Sequence, residues 1–229
     1  MTPSDRPPLS PTTRSRPRRE RERARTDRAA LDGVLDAALV CHLAVVVDGV
    51  PLALPTVFAV DRDGPDRDGT LYLHGSVASR SLVQGPDQDV SVTFTLLDGI
   101  VLARSGFNHS MNYRSAVVIG PARLVEDPAE KARALGLIVD HMIPGRSATL
   151  RANTRKELAA TSVLAVPLHE ASLKVRDGGP VDDPEDVAAG IWGGHIPLRR
   201  VPGPPVPAAD AWGPVPHDVV GRVGELAPR

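Results

Sequence analysis

The segment LYLHGSVASRSL carries groups that suit a bound phosphate. A strand is expected to end at His74, Gly75 lets the chain turn, and a short helix follows. Ser76, Ser79 and Arg80 would then offer two hydroxyls and a guanidinium beside free backbone N–H groups. An ordinary helix cap with a surface arginine is the alternative interpretation. The segment is therefore a candidate phosphate site.

A second polar segment, RSGFNHSMNYRSA, joins two apolar strands, and loops this rich in polar groups often carry function. Its candidate residues are Asn112, Tyr113, Arg114 and Ser115. A nucleophile–base pair of Ser110 and His109 has weak support, because neighbours on a strand point to opposite faces and no G-x-S-x-G elbow is present.

A third segment, IWGGHIPL, centres on Trp192. It is expected either to lie across another surface or to pack Trp192 into the core. Metal binding is not expected, because the seven histidines show no metal-ligand spacing and the single cysteine, Cys41, excludes a multi-cysteine zinc site. Walker A and G-x-G-x-x-G patterns are absent as well.

The 229 residues have the composition of a globular protein, with 41% apolar and 24% charged residues. No run approaches the roughly 20 apolar residues of a membrane span, and the first residues lack a secretory apolar region. We therefore expect a cytoplasmic protein without a membrane partner. Aromatic residues are only 3%, which excludes a broad stacking surface for single-stranded nucleic acid.

Positive charge is concentrated at the N-terminus, where residues 1–28 hold nine arginines and four acidic residues, while the remainder is net acidic. Such an arm could contact nucleic acid. The favoured interpretation is a solvated arm, or one lying on its own acidic body or on a partner subunit, because the arginines alternate with Glu20 and Glu22.

Three parts of the chain follow from this composition: a disordered Arg/Pro-rich arm (1–25), a folded body (26–200) and a Pro-rich tail (201–229) without helix. Deleting residues 1–13 is expected to leave folding intact, because they lack an apolar pattern.

The body is predicted to be mainly β with flanking helices. Helices are expected after Thr26 or Asp27 and after Asp127, where Pro128 and Glu130 complete the cap. Asp48-Gly49 and Asp98-Gly99 are predicted hairpin turns. The expected strands include residues 70–76, 89–97, 100–105, 115–126 with a bulge or bend at Gly120-Pro121, and 162–176. Short joins favour a six- to seven-stranded antiparallel sheet that closes towards a barrel.

Taken in order, these segments resemble the pyridoxamine 5′-phosphate oxidase-like flavoproteins, and most closely the nitroimidazole-resistance-type branch. The resemblance covers about residues 14–199. It implies a split β-barrel of the FMN-binding type and a C2 homodimer with FMN in two clefts between the subunits.

The resemblance also implies roles for individual residues. Pro55, Thr56 and Val57 would run along the isoalloxazine ring, and His74, Gly75, Ser76, Ser79 and Arg80 would hold the ribityl phosphate. Asn112, Tyr113, Arg114 and Ser115 would approach the dimer-related cofactor, and Trp192 the flavin. His74 is the candidate catalytic residue, as a redox participant.

The function that this resemblance implies is an FMN-dependent oxidoreductase that reduces a small electrophilic substrate, such as a nitro compound or a quinone. A flavin- or haem-binding carrier or sensor without turnover is an alternative, and so is a deazaflavin-dependent reductase. A DNA-associated regulator is disfavoured by the acidic body. Vitamin B6 oxidation is not favoured, because no second phosphate-binding constellation is evident.

Overall fold

Two antiparallel sheets form the framework of the protein in the computed structural model, which describes residues 7–86 and 88–227. The larger sheet has the order β1 (Ala24–Arg25), β10 (Glu170–Arg176), β7 (Ser110–Pro121), β6 (Asp89–Leu102), β2 (Cys41–Val47), β3 (Val50–Thr56), with β11 (Gly194–Pro197) paired to β6. The smaller sheet has the order β4 (Phe58–Asp61), β5 (Thr70–Ser76), β9 (Thr161–Pro167), β8 (Arg123–Leu124). Neither sheet closes on itself, and the predicted mainly β split barrel is confirmed.

Helices flank the sheets at α1 (Arg28–Ala37), α2 (Arg80–Gln84), α3 (Pro128–Met142), α4 (Arg155–Ala160), α5 (Pro184–Ala188) and α6 (His217–Leu226). Both predicted caps are present: the Asp27 carboxylate accepts from the N–H groups of Ala29 and Ala30, and the Asp127 carboxylate accepts from that of Glu130. Among the described residues, none of the helices combines the length and apolarity needed to cross a bilayer.

The main core lies between the two sheets and α1. Alternate residues of β2 point inward, from Cys41 to Val47, so the others lie on the outer face of the larger sheet. Leu31, Val34 and Leu35 of α1 pack on this core. A second cluster joins α3 to the outer face of the smaller sheet.

The chain passes between the sheets at four places, and one of them corrects the predicted strand 162–176. That segment is two strands, β9 and β10, because the carbonyl oxygens of Leu168 and His169 accept from the buried Arg28 guanidinium. The N–H of Leu168 also donates to the carbonyl of Gly69 at 2.9 Å. A similar change of sheet follows the predicted bend, because β7 ends at Pro121 and β8 begins at Arg123 in the smaller sheet.

The predicted hairpin turn at Asp98-Gly99 is wrong. β6 continues through it with a bulge between Leu97 and Gly99, and Gly99 pairs with Asn112. A Cβ on Gly99 would lie 2.9 Å from the carbonyl oxygen of Ile196, so this glycine permits the close approach of β11. By contrast, Asp48-Gly49 is the turn expected, with both residues at positive φ.

The arm and the tail are more ordered than predicted. Leu9 is 3% exposed and belongs to the main core, and Arg14 forms ion pairs with Asp89 and Glu170, so the arm packs on the body from residue 7. The tail forms α6 directly after Pro216, the last proline of its Pro-rich stretch. Residues 1–6 and 228–229, which the predicted arm and tail include, lie outside the described residues.

Candidate functional site

Within the predicted site, His74 has a buried ring nitrogen that makes no hydrogen bond to the described residues. It lies in β5 opposite Val163 of β9. Its Nδ1 is buried and has no hydrogen-bond partner among the described residues. Burial lowers the pKa of the His74 imidazole below its ordinary 6.5, so the ring is neutral at pH 7. A neutral imidazole is the form that binds metal ions.

A cavity of about 660 Å³ lies beside His74, between β5, α3 and α4. Its apolar lining is formed by Leu135, Ile138, Val139, Met142, Leu150 and Leu158. Its polar lining includes Ser147, Arg151, Asn153 and Thr161. No carboxylate is among the described residues that line it. The volume and the mostly apolar wall are those of a small-molecule or cofactor site.

The residues of the predicted phosphate segment lie close to one another, but most of their polar groups already bond other groups of the chain. The Ser76 hydroxyl accepts from the N–H of Ala78 at 3.2 Å, and the hydroxyls of Ser79 and Ser81 are 3.0 Å apart. Arg80, 68% exposed at its side chain, forms an ion pair with Asp48 of the β2–β3 turn. A phosphate bound here would have to compete with Asp48 for Arg80.

Gly75 lets α2 pack closely on β5. A Cβ at this position would lie 2.6 Å from Cδ1 of Leu82, a buried residue of α2. The glycine therefore brings Ser79 and Arg80, which begin α2, next to the end of β5. The predicted turn at Gly75 is instead a continuation of the strand to Ser76.

The chain between the two sheets brings the predicted ring-binding residues towards His74. Thr56 pairs with Cys41 at the end of β3, and Phe58 pairs with Leu73, the neighbour of His74, at the start of β4. Val57 therefore lies where the chain enters the sheet that contains His74. Pro55 remains on the larger sheet, opposite His42.

The segment 112–115 lies on the larger sheet, whereas His74 lies on the smaller one, and β6 and β2 separate the segment from Pro55 and Thr56 of β3. Asn112 is buried, and its Nδ2 donates to the carbonyl of Gly178 at 3.0 Å. Arg114 makes two hydrogen bonds to the Asp98 carboxylate, at 2.8 and 2.9 Å. The Asn112 side chain therefore contacts the loop at Gly178, and the Arg114 side chain contacts the bulge of β6 at Asp98.

Tyr113 and Ser115 lie on the other face of β7, where sequence reasoning missed a site. They line a cavity of about 540 Å³, which we call the arm cleft, between the outer face of the larger sheet and residues 14–19 of the arm. Lys174 of β10 also lines it, and its Nζ donates to the carbonyl of Arg19 at 2.8 Å.

Trp192 is 69% exposed and precedes β11, so the expectation of core packing is wrong for it. Its ring lies against Gly194, where an added Cβ would be 2.7 Å from the indole. Within the described ranges, no group of three or more His, Cys, Asp or Glu side chains is placed to bind a metal ion.

Comparison with known proteins identifies the family. A family profile described as pyridoxamine 5′-phosphate oxidase matches residues 27–175. The chain belongs to this family. This membership of the pyridoxamine 5′-phosphate oxidase family confirms the resemblance that its sequence motifs predicted. No curated protein matches its sequence.

Two solved structures are similar to this family member over nearly their whole length. The flavocytochrome Anf3 from Azotobacter vinelandii is 38% identical with a TM-score of 0.86, covering 93% of this chain and 98% of Anf3. The FAD and haem binding protein from Mycobacterium smegmatis is 40% identical with a TM-score of 0.78, covering 87% and 97%. These matches extend beyond residues 27–175, so they include parts of the arm or tail.

A third structure shows the shared fold. It is described as a 5-nitroimidazole antibiotic resistance protein from Bacteroides thetaiotaomicron, and is 24% identical with a TM-score of 0.53. The match covers 66% of this family member and 86% of that chain.

Proposed function

We propose that this protein is a flavin-dependent oxidoreductase that also holds a haem, with His74 as the ligand of the haem iron. The observation that carries the proposal is the buried Nδ1 of His74, which has no partner among the described residues and belongs to a residue that lines an apolar cavity. The two structures of 38% and 40% identity, a flavocytochrome and an FAD and haem binding protein, support it.

The cavity residues fit a haem. A haem would bring nitrogen ligands of its own to the iron, so one histidine would be sufficient and no cluster of metal-binding side chains would be required. Burial keeps the His74 imidazole neutral, which leaves a nitrogen lone pair for the iron. Ile138 and Val139 of α3 offer apolar contact, and Asn153 offers a donor for a carboxylate of the macrocycle. Arg151 would reach such a carboxylate only in competition with Glu157, to which it is paired.

The flavin is assigned to the junction of the two sheets. Pro55, Thr56 and Val57 would contact its ring, while Ser76, Ser79 and Arg80 would hold its first phosphate. Arg80 starts α2 beside the end of β5, and its guanidinium, paired with Asp48, would have to exchange that carboxylate for the phosphate. The sequence predicts FMN as the flavin, with deazaflavin as an alternative. The similar protein from Mycobacterium smegmatis, described as FAD and haem binding, favours FAD as the flavin of this protein.

The cofactors supply electron transfer when bound, and the chain supplies their positions and their shielding from water. Among the described residues that line the cavity, only His74 and Arg151 have titratable side chains. The cavity thus offers little acid–base chemistry, which also favours a second candidate function, an electron carrier without a substrate of its own. The substrate proposed for the oxidoreductase remains a small electrophile.

A C2 homodimer is part of the proposal. The residues of β3 from Val50 to Pro55 are exposed at the edge of the larger sheet, including Leu52 and Leu54. An exposed apolar edge strand is a surface that proteins normally cover. A second copy would cover it and bring the partner's residues 112–115 towards the flavin. The expected cytoplasmic location suits the buried thiol of Cys41, which remains reduced there.

The test is to identify the cofactors that the protein takes up. Apoprotein is incubated with excess FAD and haem, desalted and denatured, and the released cofactors are quantified by chromatography with mass detection. About one flavin and one haem per chain is the expected result. Retention of neither would contradict the proposal. Retention of flavin alone would contradict the haem assignment and favour the simple flavoprotein.

A further inference from the structure

The floor of the arm cleft has polar side chains beside apolar ones. Ser115 of β7 lies opposite Thr95 of β6 on one side and opposite Lys174 of β10 on the other. Two hydroxyls and an ammonium therefore form a row across three strands, on one face of the sheet. Val117 and Ile119, the next residues of β7 on that face, continue the floor with apolar side chains. The floor suits a ligand with one polar end and one apolar end.

The arm segment 16–18 covers this floor and is held on both sides. Arg14 Nε donates to the Glu170 carboxylate at 2.8 Å, before the segment. Lys174 Nζ donates to the carbonyl of Arg19 at 2.8 Å, after it. Neither contact uses a side chain of the segment itself, so its two arginines are left for a ligand.

The cleft contains positive charge that the fold does not neutralise. Arg16, Arg18 and Arg19 line it, and their guanidinium groups form no ion pair within the part of the chain that the structure describes. Lys174 is half-buried and gives one of its three N–H donors to a carbonyl. No carboxylate is among the described residues that line the cleft. Like charges held close together repel one another, so a bound anion would stabilise this arrangement.

The carboxylates next to the cleft are already paired. Glu170, at the start of β10, forms an ion pair with Arg14. Glu20, which follows Arg19 in the chain, forms an ion pair with Arg23. Neutralising the cleft from within the chain would break one of these pairs, whereas an anion from solution would leave both intact.

We propose that the arm cleft is a binding site for a small organic anion, with a carboxylate or phosphate head and an apolar or aromatic body. Arg16, Arg18 and Lys174 donate charge-assisted hydrogen bonds to the head. Val117 and the ring of Tyr113 contact the body. A head without a body, or a body without a charged head, uses only part of the cleft.

The dimensions and the charge of the cleft favour a small ligand over a polymer. Its volume of about 540 Å³ is within the range of small-molecule sites. The positive charge is local, because the chain beyond its N-terminal part is net acidic and would repel an extended polyanion. The cleft lies on the larger sheet, whereas the cavity beside His74 lies against the smaller one, so this site is separate from the proposed haem.

The test is titration calorimetry on the full chain loaded with FAD and haem, so that the proposed cofactor sites are filled. The organic anions are benzoate and phenyl phosphate. Benzamide serves as the body without charge, and inorganic phosphate as the head without a body. At low ionic strength, at least one organic anion should bind tenfold or more tightly than both benzamide and inorganic phosphate.

Paired variants locate that binding. Arg16→Gln/Arg18→Gln should weaken the organic anion at least tenfold, because hydrogen bonds to a charged group are lost. The control, Arg67→Gln/Arg155→Gln, removes the same charge from two exposed arginines outside the cleft and should stay within twofold of the wild type.

A second pair of variants fills the cleft with charge. Ser115→Asp places a carboxylate opposite Lys174, where the head of the ligand would lie, and should abolish binding. Ser115→Asn has nearly the same shape without the charge and should retain binding within about threefold.

Several outcomes would overturn the inference. Equal affinities for benzoate and benzamide, or equal losses in the cleft and control variants, would show that the arginines do not bind the head. Inorganic phosphate bound as tightly as the organic anions would mean an adventitious ion only. Duplex DNA binding that Arg16→Gln/Arg18→Gln abolishes, without binding of either organic anion, would assign the arm to nucleic acid.

The cofactors provide the remaining distinction. Organic anions that bind the apoprotein but not the loaded protein would show that a cofactor fills the cleft, which would also overturn the inference. A protein that retains neither flavin nor haem would contradict the proposed function alone, since the titrations on the apoprotein would still test the cleft.

Discussion

The backbone N–H of Leu9 donates to the carbonyl oxygen of Thr26 at 2.9 Å, which fixes the arm beside the start of α1. The Leu9 side chain is buried in the main core, and the N–H of Ser10 donates to the carbonyl of Ala171 at 2.8 Å. The arm is therefore part of the folded body. The burial of Leu9 counts against the expectation that deleting residues 1–13 leaves folding and cofactor binding intact.

Leu9→Ala is predicted to lower the free energy of unfolding by about 2–4 kcal/mol, because truncating a buried leucine loses apolar burial and leaves a cavity. Urea denaturation measures the change. Val206→Ala serves as the control, since Val206 is 89% exposed and should change stability little. Equal stability of Leu9→Ala and wild type would show that the arm does not pack on the core.

Arg80→Ala is predicted to weaken FMN binding about tenfold to a hundredfold, because a hydrogen bond to a charged group contributes about 1.5–3 kcal/mol. Riboflavin, which lacks the phosphate, should bind equally to both proteins. Asp48→Asn should strengthen FMN binding, because it removes the carboxylate that pairs with Arg80. Fluorescence quenching of each flavin measures these constants. Equal effects on riboflavin and FMN would remove Arg80 from the phosphate site.

Acid is predicted to destabilise the cofactor-free protein through two partly buried histidines. Burial lowers the pKa of both His74 and His141 below 6.5 in the folded state. The unfolded chain therefore binds more protons, so stability is present above pH 6.5 and is lost as the pH falls from 6.5 towards the folded pKa values. Urea unfolding at several pH values measures the slope.

His141→Gln should reduce that slope, because it removes one of the two groups. His141 Nε2 donates to the carbonyl of Ala38 at 2.7 Å and its ring packs on Phe58, so the variant will also be less stable at every pH. The comparison therefore uses the slope and not the absolute stability. An unchanged slope would contradict the assignment.

Leu52→Glu is predicted to convert the proposed dimer to a monomer. Leu52 is 39% exposed in the edge strand β3, and a carboxylate there would be buried without a partner in the dimer interface. Light scattering should give about twice 24.3 kDa for the wild type and 24.3 kDa for the variant. Val206→Glu, in the exposed tail, should leave the mass unchanged. A wild-type mass of 24.3 kDa would contradict the dimer.

Local signals in the sequence predicted the local parts of the fold. Asp127, Pro128 and Glu130 cap α3 as expected, since a cap depends on residues within one turn. The same dipeptide, Asp-Gly, forms a turn at 48–49 but continues the strand at 98–99. The difference is a distant contact, the pair of hydrogen bonds from Arg114 to Asp98, which no local pattern contains.

The candidate site was predictable only in part, because distant contacts also determine much of its structure. Motif order indicated the family, and the structure places Val57 beside the sheet that contains His74. The burial of His74, the partner of Arg80 and the arm cleft all depend on segments far apart in the chain. Leu9 illustrates this: among residues 7–23 it is the one buried apolar residue, and the prolines and polar residues around it give no periodic signal.

The central claim is tested most directly by the visible absorption spectrum of three proteins loaded with FAD and haem: wild type, His74→Ala and His109→Ala. His109 is a histidine control, since its ring bonds the carbonyl of Ser105 away from the cavity. We expect flavin bands and a Soret band in wild type and His109→Ala, and flavin bands with a lost or shifted Soret band in His74→Ala. An unaltered Soret band in His74→Ala, or none in the wild type, would contradict it.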